Sequence, residues 1–368
     1  MSPTITAETI VPAGMSKLVL RSYEGVSYRL VSTKPARDCT PAEIPIIDLE
    51  GIHDSLEARK EIAQKLLHSA ETIGFFYIKN HGISDETIAN TVNKSKEFFS
   101  LPVEEKRRAA TDISSYGYKG LRERQVNPSN SKDRKENFNF HYKPEFDPTH
   151  QGRLSQVPQK VQDHIPKDDI IWEGLSVPGF QDALIAHWTS CLKLARGLIR
   201  VVALALDLPE SYFDKFTTYP GGDFSVNFYP GHGDEPIQDP DEVGIGAHTD
   251  LQILTLLWQD EHKGLQVLDN NNEWMCAPPI PGTLVVNIGD FLMRLTNDRL
   301  KSTVHRVIQH GKEDRFSIPF FFGFNFDERL GVIPTCTDEK NPPKYQPSTC
   351  GELISRRLAL GNRKQQAN

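Results

Sequence analysis

Hydrophobic positions change rhythm along this chain, and the change divides it. Over residues 56–73 the apolar positions Ile62, Leu66, Ala70 and Ile73 recur at three-to-four spacing, which predicts an amphipathic helix. Residues 44–49 before it and 74–78 after it are short, β-branched and aromatic, and predict strands. Ser84 is a good N-cap for a second helix with Ile88, Val92 and Phe99 on one face. Pro102, with Glu104 and Glu105 behind it, opens another. The strongest helix is predicted over residues 180–208. Leu184, Trp188, Cys191, Ala195, Leu198 and Val202 form its buried stripe, and Pro209 ends it.

After about residue 220 the period shortens. Segments near 223–229, 243–257, 264–268, 273–277, 283–288, 303–309 and 316–326 are β-rich and separated by Gly, Pro, Asn and Asp. Many short strands at such spacing predict a sandwich or barrel, here a jelly roll. Residues 112–175 are polar and rich in turn formers, which predicts long loops or a lid. The expected organisation is a loose extension over 1–40, a helical and mixed region over 41–175, and a jelly-roll core with its brace helix over 176–368. The last two form one structural unit of α+β, mainly β, class. No repeat of fixed period is visible.

Composition narrows the function classes. Of 368 residues, 42 are Lys or Arg and 49 are Asp or Glu, a net charge of −7 that argues against nucleic acid as a partner. Apolar residues at 38% and charged residues at 25% are ordinary globular values. Cys39, Cys191, Cys276, Cys336 and Cys350 are scattered, odd in number and form no CxxC, so neither a disulfide framework nor a thiolate zinc site is expected. The N-terminus has no basic or apolar leader region, and no apolar run is long enough to cross a bilayer. A cytoplasmic monomer acting on a small molecule is the expectation.

Three stretches carry candidate chemistry. In Gly244-Ile-Gly-Ala-His248-Thr-Asp250, His248 and Asp250 would share one face of a strand. Alone, this reads as a histidine bonded to a neighbouring carboxylate. His305, in Lys301-Ser-Thr-Val-His305, sits in an alternating strand pattern and alone reads as structural too. In Arg315-Phe-Ser317 the guanidinium fork and the hydroxyl share a face and suit a carboxylate. The joint pattern is far more specific than its parts. Two histidines and one carboxylate make the facial triad of non-haem Fe(II) oxygenases, with three coordination positions left open. A chelating keto acid fills two of them and O2 the last, and the keto acid's far carboxylate needs a cationic anchor.

These stretches, together with Ile44-Pro-Ile-Ile-Asp48-Leu, Gly74-Phe-Phe-Tyr-Ile-Lys-Asn-His-Gly-Ile83, Asn227-Phe-Tyr229-Pro and Val286-Asn-Ile-Gly-Asp290, resemble the 2-oxoglutarate- and Fe(II)-dependent dioxygenases of the isopenicillin N synthase-like family over roughly residues 43–358. The resemblance implies a double-stranded β-helix, iron held by His248, Asp250 and His305, and 2-oxoglutarate anchored by Arg315, Ser317 and Tyr229, with Asn227 nearby. It implies oxidative decarboxylation of 2-oxoglutarate to succinate and CO2, coupled to hydroxylation, desaturation or ring formation on a small organic molecule. O2 is the oxidant, ascorbate a reductant, and secondary metabolism the setting. The alternatives are an Fe(II) oxidase of this fold that does not use 2-oxoglutarate, and a noncatalytic barrel that binds a small molecule.

Other residues take weaker assignments. Phe321 shares strand parity with Arg315 and Ser317 and is a candidate for the substrate wall. Tyr118 and Phe138, in the polar stretch, are candidates for closing the pocket. Arg122 and Arg124 hint at a polar or anionic substrate group. The mixed charge run Lys132-Asp-Arg-Lys-Glu136 reads as a solvated face, Trp258 and Trp274 as packing, and Asp290 as a turn or supporting group. His141, His150 and His164 are not expected to be ligands.

Overall fold

The structure is a computed structural model that describes residues 5–362, apart from 7, 23–24, 112–115, 128, 151–156, 164–169, 171, 173–174, 238 and 240. His164 lies outside the described residues. The chain opens with β1 (Met15–Ser22), β2 (Gly25–Ser32), β3 (Arg37–Asp38) and β4 (Ile46–Asp48). There follow α1 (Leu56–Thr72), β5 (Phe75–Lys79), α2 (Asp85–Phe99), α3 (Val103–Arg107), β6 (Gly117–Lys119), β7 (Glu136–Phe140) and α4 (Gln159–Gln162). The long helix α5 is Phe180–Ala205, and β8 is Pro220–Tyr229. Next come β9 (Ile245–His248), β10 (Leu254–Gln259), β11 (Leu265–Leu268), β12 (Trp274–Cys276), β13 (Thr283–Ile288), α6 (Asp290–Leu295), β14 (His305–Val307) and β15 (Arg315–Asn325). The chain closes with β16 (Arg329–Leu330), β17 (Ser348–Thr349) and α7 (Cys350–Asn362).

Two sheets make the jelly roll. The larger has the order β4-β5-β13-β10-β15-β8-β7-β6, and the smaller β3-β12-β11-β14-β9. They share a core in which Phe75, Tyr77 and Val285 of the larger sheet meet Leu265, Val267 and Met275 of the smaller. The expected strands after residue 220 all form, but the segment 243–257 is split into β9 and β10 by the corner that carries His248 and Asp250.

The helices form where capping and periodicity place them. The Ser55 and Ser84 hydroxyls accept the Ala58 and Thr87 N–H groups at the starts of α1 and α2. Helix α5, of 26 residues, lies along the outer face of the larger sheet. Its Trp188 indole donates to the Gly222 carbonyl at 2.9 Å, so this large aromatic is both buried and satisfied.

Two expectations change. Residues 1–40 are not a loose extension: β1 and β2 form an antiparallel hairpin. Its Leu18 and Val31 are buried against Ala247, Leu268 and Trp274 of the smaller sheet and Val304 just before β14, and the Asn127 amide donates to both Val19 and Ala247 carbonyls. Leu18 and Leu20 alternate with other residues just before Gly25, a hairpin signal present in the sequence. The stretch 112–175 is not all loop either, since β6 and β7 extend the larger sheet beyond β8.

Candidate active site

His248 closes β9 and His305 opens β14, and the two are direct cross-strand partners in the smaller sheet. Asp250 lies past the end of β9, so strand parity does not place it. Its backbone carbonyl accepts the Asp290 N–H at 2.7 Å, and the Asp290 carboxylate accepts the Thr249 and Ser302 hydroxyls at 3.0 and 2.6 Å. Asp290 thus ties the corner after β9 to the approach to β14. As a result, Asp250 Oδ1 stands 3.7 Å from His248 Nε2 and 3.8 Å from His305 Nε2. One ligand atom from each of the three lies within 4.8 Å of the others.

The protonation states suit a cation. His248 Nδ1 lies 2.8 Å from the Gly246 carbonyl and His305 Nδ1 lies 3.1 Å from the Thr303 carbonyl. A carbonyl only accepts, so each Nδ1 carries the proton and each Nε2 lone pair faces the site. The other Asp250 oxygen accepts from Thr255 at 2.5 Å and from the Asn287 amide at 2.7 Å. Burial pushes the Asp250 carboxyl up, but the positive charge of His305 and His248 when protonated, together with these two donors, outweighs it and holds the carboxyl below the usual carboxylate range; a cation between the three groups takes the place of that positive charge when the rings are neutral. Two imidazole nitrogens and a carboxylate oxygen, each oriented by a second hydrogen bond, fit Fe(II) with open positions.

The anchor lies on β15 and β8. Register pairs Arg315 with Tyr229 and Ser317 with Asn227, so all four share the inner face. Arg315 is fully buried, donating from Nε to the His262 carbonyl and from Nη2 to Gln259 Oε1, both at 3.1 Å. Its Nη1 is buried with no acceptor among the described residues. The guanidinium carbon stands 4.9 Å from the Tyr229 ring centroid. A Cβ at position 264 would come 2.7 Å from Arg315 Nε, so only glycine leaves room for this side chain. A buried cation with an unused donor, beside the Ser317 and Tyr229 hydroxyls 3.3 Å apart, fits a ligand carboxylate.

Three residues given no role from the sequence complete the set, two of them, Lys135 and Thr255, outside the motifs and the third, Asn287, within Val286-Asn-Ile-Gly-Asp290. Lys135 donates to Asn227 Oδ1 at 2.7 Å. An ammonium only donates, so Asn227 must turn its Nδ2 toward Ser317 Oγ, 3.4 Å away. Burial, together with Arg124 nearby, pulls Lys135 down to about 8 against the opposing pull of Asp133. Thr255 and Asn287, already described, fix the Asp250 carboxylate. Lys135 belongs to the charge run expected to be solvated. Instead Asp133, Lys135 and Glu136 are all buried, and Glu136 accepts from Lys106 and Tyr118, both at 2.6 Å. The alternation of Lys135, Asn137 and Asn139 with Glu136, Phe138 and Phe140 is the available signal of a two-faced strand.

The substrate-wall candidates separate. Phe321 is on the inner face, half-buried, in register with Asp223 on one side and Thr255 on the other. Phe138 and Tyr118 are paired with each other on the opposite face and fully packed. Phe138 meets Phe98, Trp172 and Phe180 there, so strand parity points both residues at the helices and not into the barrel. Arg122 turns outward to pair with Glu242, while Arg124 is held inside near Asp133 and Asp223.

Comparison with known proteins agrees with this geometry. Residues 44–164 match the family described as the N-terminal region of non-haem dioxygenases in morphine synthesis, and residues 221–324 match the 2OG-Fe(II) oxygenase superfamily. The 2-oxoglutarate-Fe(II) type oxidoreductase ppzC of Metarhizium majus is 39% identical, the match covering 96% of this chain and 97% of the relative. Kihadalactone A synthase of Citrus sinensis is 30% identical over 86% of this chain and 93% of its own. Among solved structures, a full-length Neurospora crassa protein in complex with alpha-KG and thymine superposes with a TM-score of 0.73. It is 30% identical, with 86% of this chain and 97% of that one covered. The chain belongs to the 2-oxoglutarate- and Fe(II)-dependent oxygenase family.

Proposed function

We propose that His248, Asp250 and His305 hold the iron, that Arg315, Ser317 and Tyr229 take the far carboxylate of 2-oxoglutarate, and that Asn227 orients Ser317 for that contact. The observation that carries this reading is the buried Nη1 of Arg315, without an acceptor among the described residues, on the same inner face as Ser317 and Tyr229. When bound, iron and 2-oxoglutarate supply O2 activation, with succinate and CO2 as coproducts and a C–H bond of a small organic molecule oxidised. The chain binds, orients and shields. Arg315 fixes one end of the cosubstrate, the two Nδ1–H groups keep both imidazoles aimed, and the aromatic layer behind the sheet excludes water. In keeping with the fungal and plant relatives, we place the reaction in secondary metabolism, with ascorbate as a reductant.

The test is O2 uptake and succinate formation by iron-loaded protein with and without 2-oxoglutarate. Uptake that needs 2-oxoglutarate supports the reading; uptake without it, and without succinate, would favour an oxidase in which Arg315 holds a substrate carboxylate. We also read the chain as a cytoplasmic monomer. The five cysteines are free, and among the described residues no helix is long and apolar enough to cross a membrane. Light scattering on the purified protein checks the monomer.

A further inference from the structure

The inner face of β7 is polar although it is dry. Asn137 pairs in register with Asn227, and Asn227 with Ser317. The three stand in one row across β7, β8 and β15 and face the chamber that the anchor and the metal site share. Asn137 is 1% exposed, and its Nδ2 has no hydrogen-bond partner among the described residues. A buried amide costs free energy unless its groups are matched, so a donor held this way calls for an acceptor. Its neighbours in the row do not supply one. On one side, Asn227 takes Lys135 on its oxygen and turns its nitrogen to Ser317. On the other, Lys119 of β6 ends in an ammonium, which only donates.

Depth decides which ligand meets it. Thr255 bonds the Asp250 carboxylate and lies in one row with Phe321 and Asp223, so that row marks the level of the metal site. Along β8, Ser225 and then Asp223 are the inward-facing positions that lead from Asn227 to it. Asn137 therefore stands at the depth of Ser317 and not at that of the metal. The reacting bond of the prime substrate belongs at the metal level, whereas the far carboxylate of 2-oxoglutarate belongs at the depth of Ser317. Acceptor arithmetic points the same way. The two oxygens of a carboxylate offer about four lone-pair sites. The donor groups assigned to them above are Arg315 Nη1 and the Ser317 and Tyr229 hydroxyls. At one bond from each group, a site is left for a further donor.

Resting on the reading above, we propose that Asn137 is a further cosubstrate-binding residue, whose Nδ2 donates to the C5 carboxylate of 2-oxoglutarate. Arg315 holds that carboxylate from β15 and Asn137 from β7, with β8 between them. The motifs around Arg315 and Tyr229 do not announce this residue, because β7 is brought to them only by its pairing with β8. A keto acid without the far carboxylate leaves the Asn137 donor unmatched, so the residue adds to the selection of a keto acid with two carboxylates.

The test uses full-length protein loaded with Mn(II), titrated calorimetrically with 2-oxoglutarate and with 2-oxobutyrate, which has the same chelating end and no far carboxylate. Asn137→Leu keeps the size of the side chain and removes the donor. It should weaken 2-oxoglutarate binding about tenfold, as expected of one hydrogen bond to a charged group. The affinity for 2-oxobutyrate should stay within about twofold of wild type, and the Mn(II) content should be unchanged. An unchanged 2-oxoglutarate affinity overturns the proposal. So does an equal loss for both keto acids, which would make Asn137 a packing residue. Where the variant does not fold, or 2-oxobutyrate binds too weakly to titrate, the crystal structure of the wild-type protein with Mn(II) and 2-oxoglutarate decides. Asn137 Nδ2 should lie within about 3.2 Å of a C5 carboxylate oxygen. A water between the two, or a separation beyond about 3.5 Å, overturns the proposal. Failure of the wild-type protein to bind 2-oxoglutarate is a different result; it brings down the functional reading itself, and this one with it.

Discussion

On the outer face of β7 and β8, Phe138, Phe140, Phe224, Val226 and Phe228 pack against α5 and its neighbours. On the inner face, Lys135, Asn137, Asn139, Asn227 and Tyr229 surround the anchor. Both faces are out of water, and most of these residues are under a tenth exposed. Burial therefore does not distinguish them; strand phase and hydrogen bonding do. The outer aromatics meet one another at close ring separations, as in Phe138–Phe180 at 5.1 Å and Phe140–Phe224 at 5.3 Å, and gain by packing. The inner polar groups gain little by packing and leave donors unused, as expected of a surface matched to a ligand. Inner-face changes should then alter binding at constant stability, and outer-face changes should do the reverse.

The largest expected effect on the inner face is at Arg315. Removing one partner of a buried, hydrogen-bonded charge pair costs roughly 2–5 kcal/mol, so Arg315→Ala should weaken 2-oxoglutarate binding by on the order of a hundredfold or more. Iron content should stay near the wild-type value, because the hydrogen bonds of Arg315 run to His262 and Gln259 and not to His248, Asp250 or His305. Titration of 2-oxoglutarate alongside metal analysis reads both. Unchanged cosubstrate affinity would break the comparison at its strongest point.

The outer-face counterpart is Phe138→Ala. Truncating a fully buried Phe costs about 3–5 kcal/mol, seen as a lower urea midpoint at an unchanged slope. The 2-oxoglutarate affinity of the folded variant should stay within about twofold, an effect of under about half a kcal/mol. A large loss of affinity without loss of stability would mean that Phe138 reaches the chamber after all.

These two residues also show what is legible in the sequence. Arg315 is readable because its motif carries its own parity: Arg315, Ser317 and, across the register, Asn227 and Tyr229 all alternate in step. Phe138 is suggested by residue type alone, aromatic and near the pocket in sequence, and residue type does not decide the phase of β7. That phase depends on pairing with β8, a contact distant in the chain, as in Phe138↔Val226. Lys135 is hidden for a related reason. A run of mixed charges is normally solvated, and only the tertiary fold supplies Asn227 and Asp133 as its partners. The hairpin at the N-terminus is faint in the sequence because its two strands bury few large residues, and its packing on Ala247 and Trp274 is long-range.

A smaller inner-face effect is expected at Lys135. Lys135→Met keeps the apolar stem and removes the donor that sets the Asn227 amide. Asn227 is then free to turn its oxygen toward Ser317, which competes with the cosubstrate for the Ser317 proton. The loss in 2-oxoglutarate affinity should be about tenfold, the roughly 1.4 kcal/mol expected of one charge-assisted hydrogen bond. Asn227→Ala should show a similar loss, and the double variant should be far less than additive. Full additivity would separate the two residues and remove Lys135 from the anchor.

At neutral pH the smallest effect is at His187 on the outer face, where the difference from wild type opens only in acid. His187 on α5 is 1% exposed and packs edge-on against Phe224, with ring centroids 5.3 Å apart. Burial, with His81 adding to it, pulls the His187 imidazole down from 6.5 to about 4. The folded protein keeps this ring neutral over a range in which the unfolded chain protonates it. The stability His187 contributes is therefore fully present above pH 6.5 and is lost as the pH falls from 6.5 toward 4. The shift caps that loss at about 3 kcal/mol. His187→Phe removes the titration while keeping an aromatic ring against Phe224. Near neutral pH its urea midpoint should match wild type to within the cost of a shape change, about 1 kcal/mol. Between pH 6.5 and 4 its stability should fall less steeply than wild type. The 2-oxoglutarate affinity at neutral pH should be the same in both, because His187 lies behind the sheet from Asn227 and Ser317. An equally steep acid limb in the variant would assign the loss to other groups, and a changed cosubstrate affinity would show that the two faces of the ribbon are coupled through Phe224.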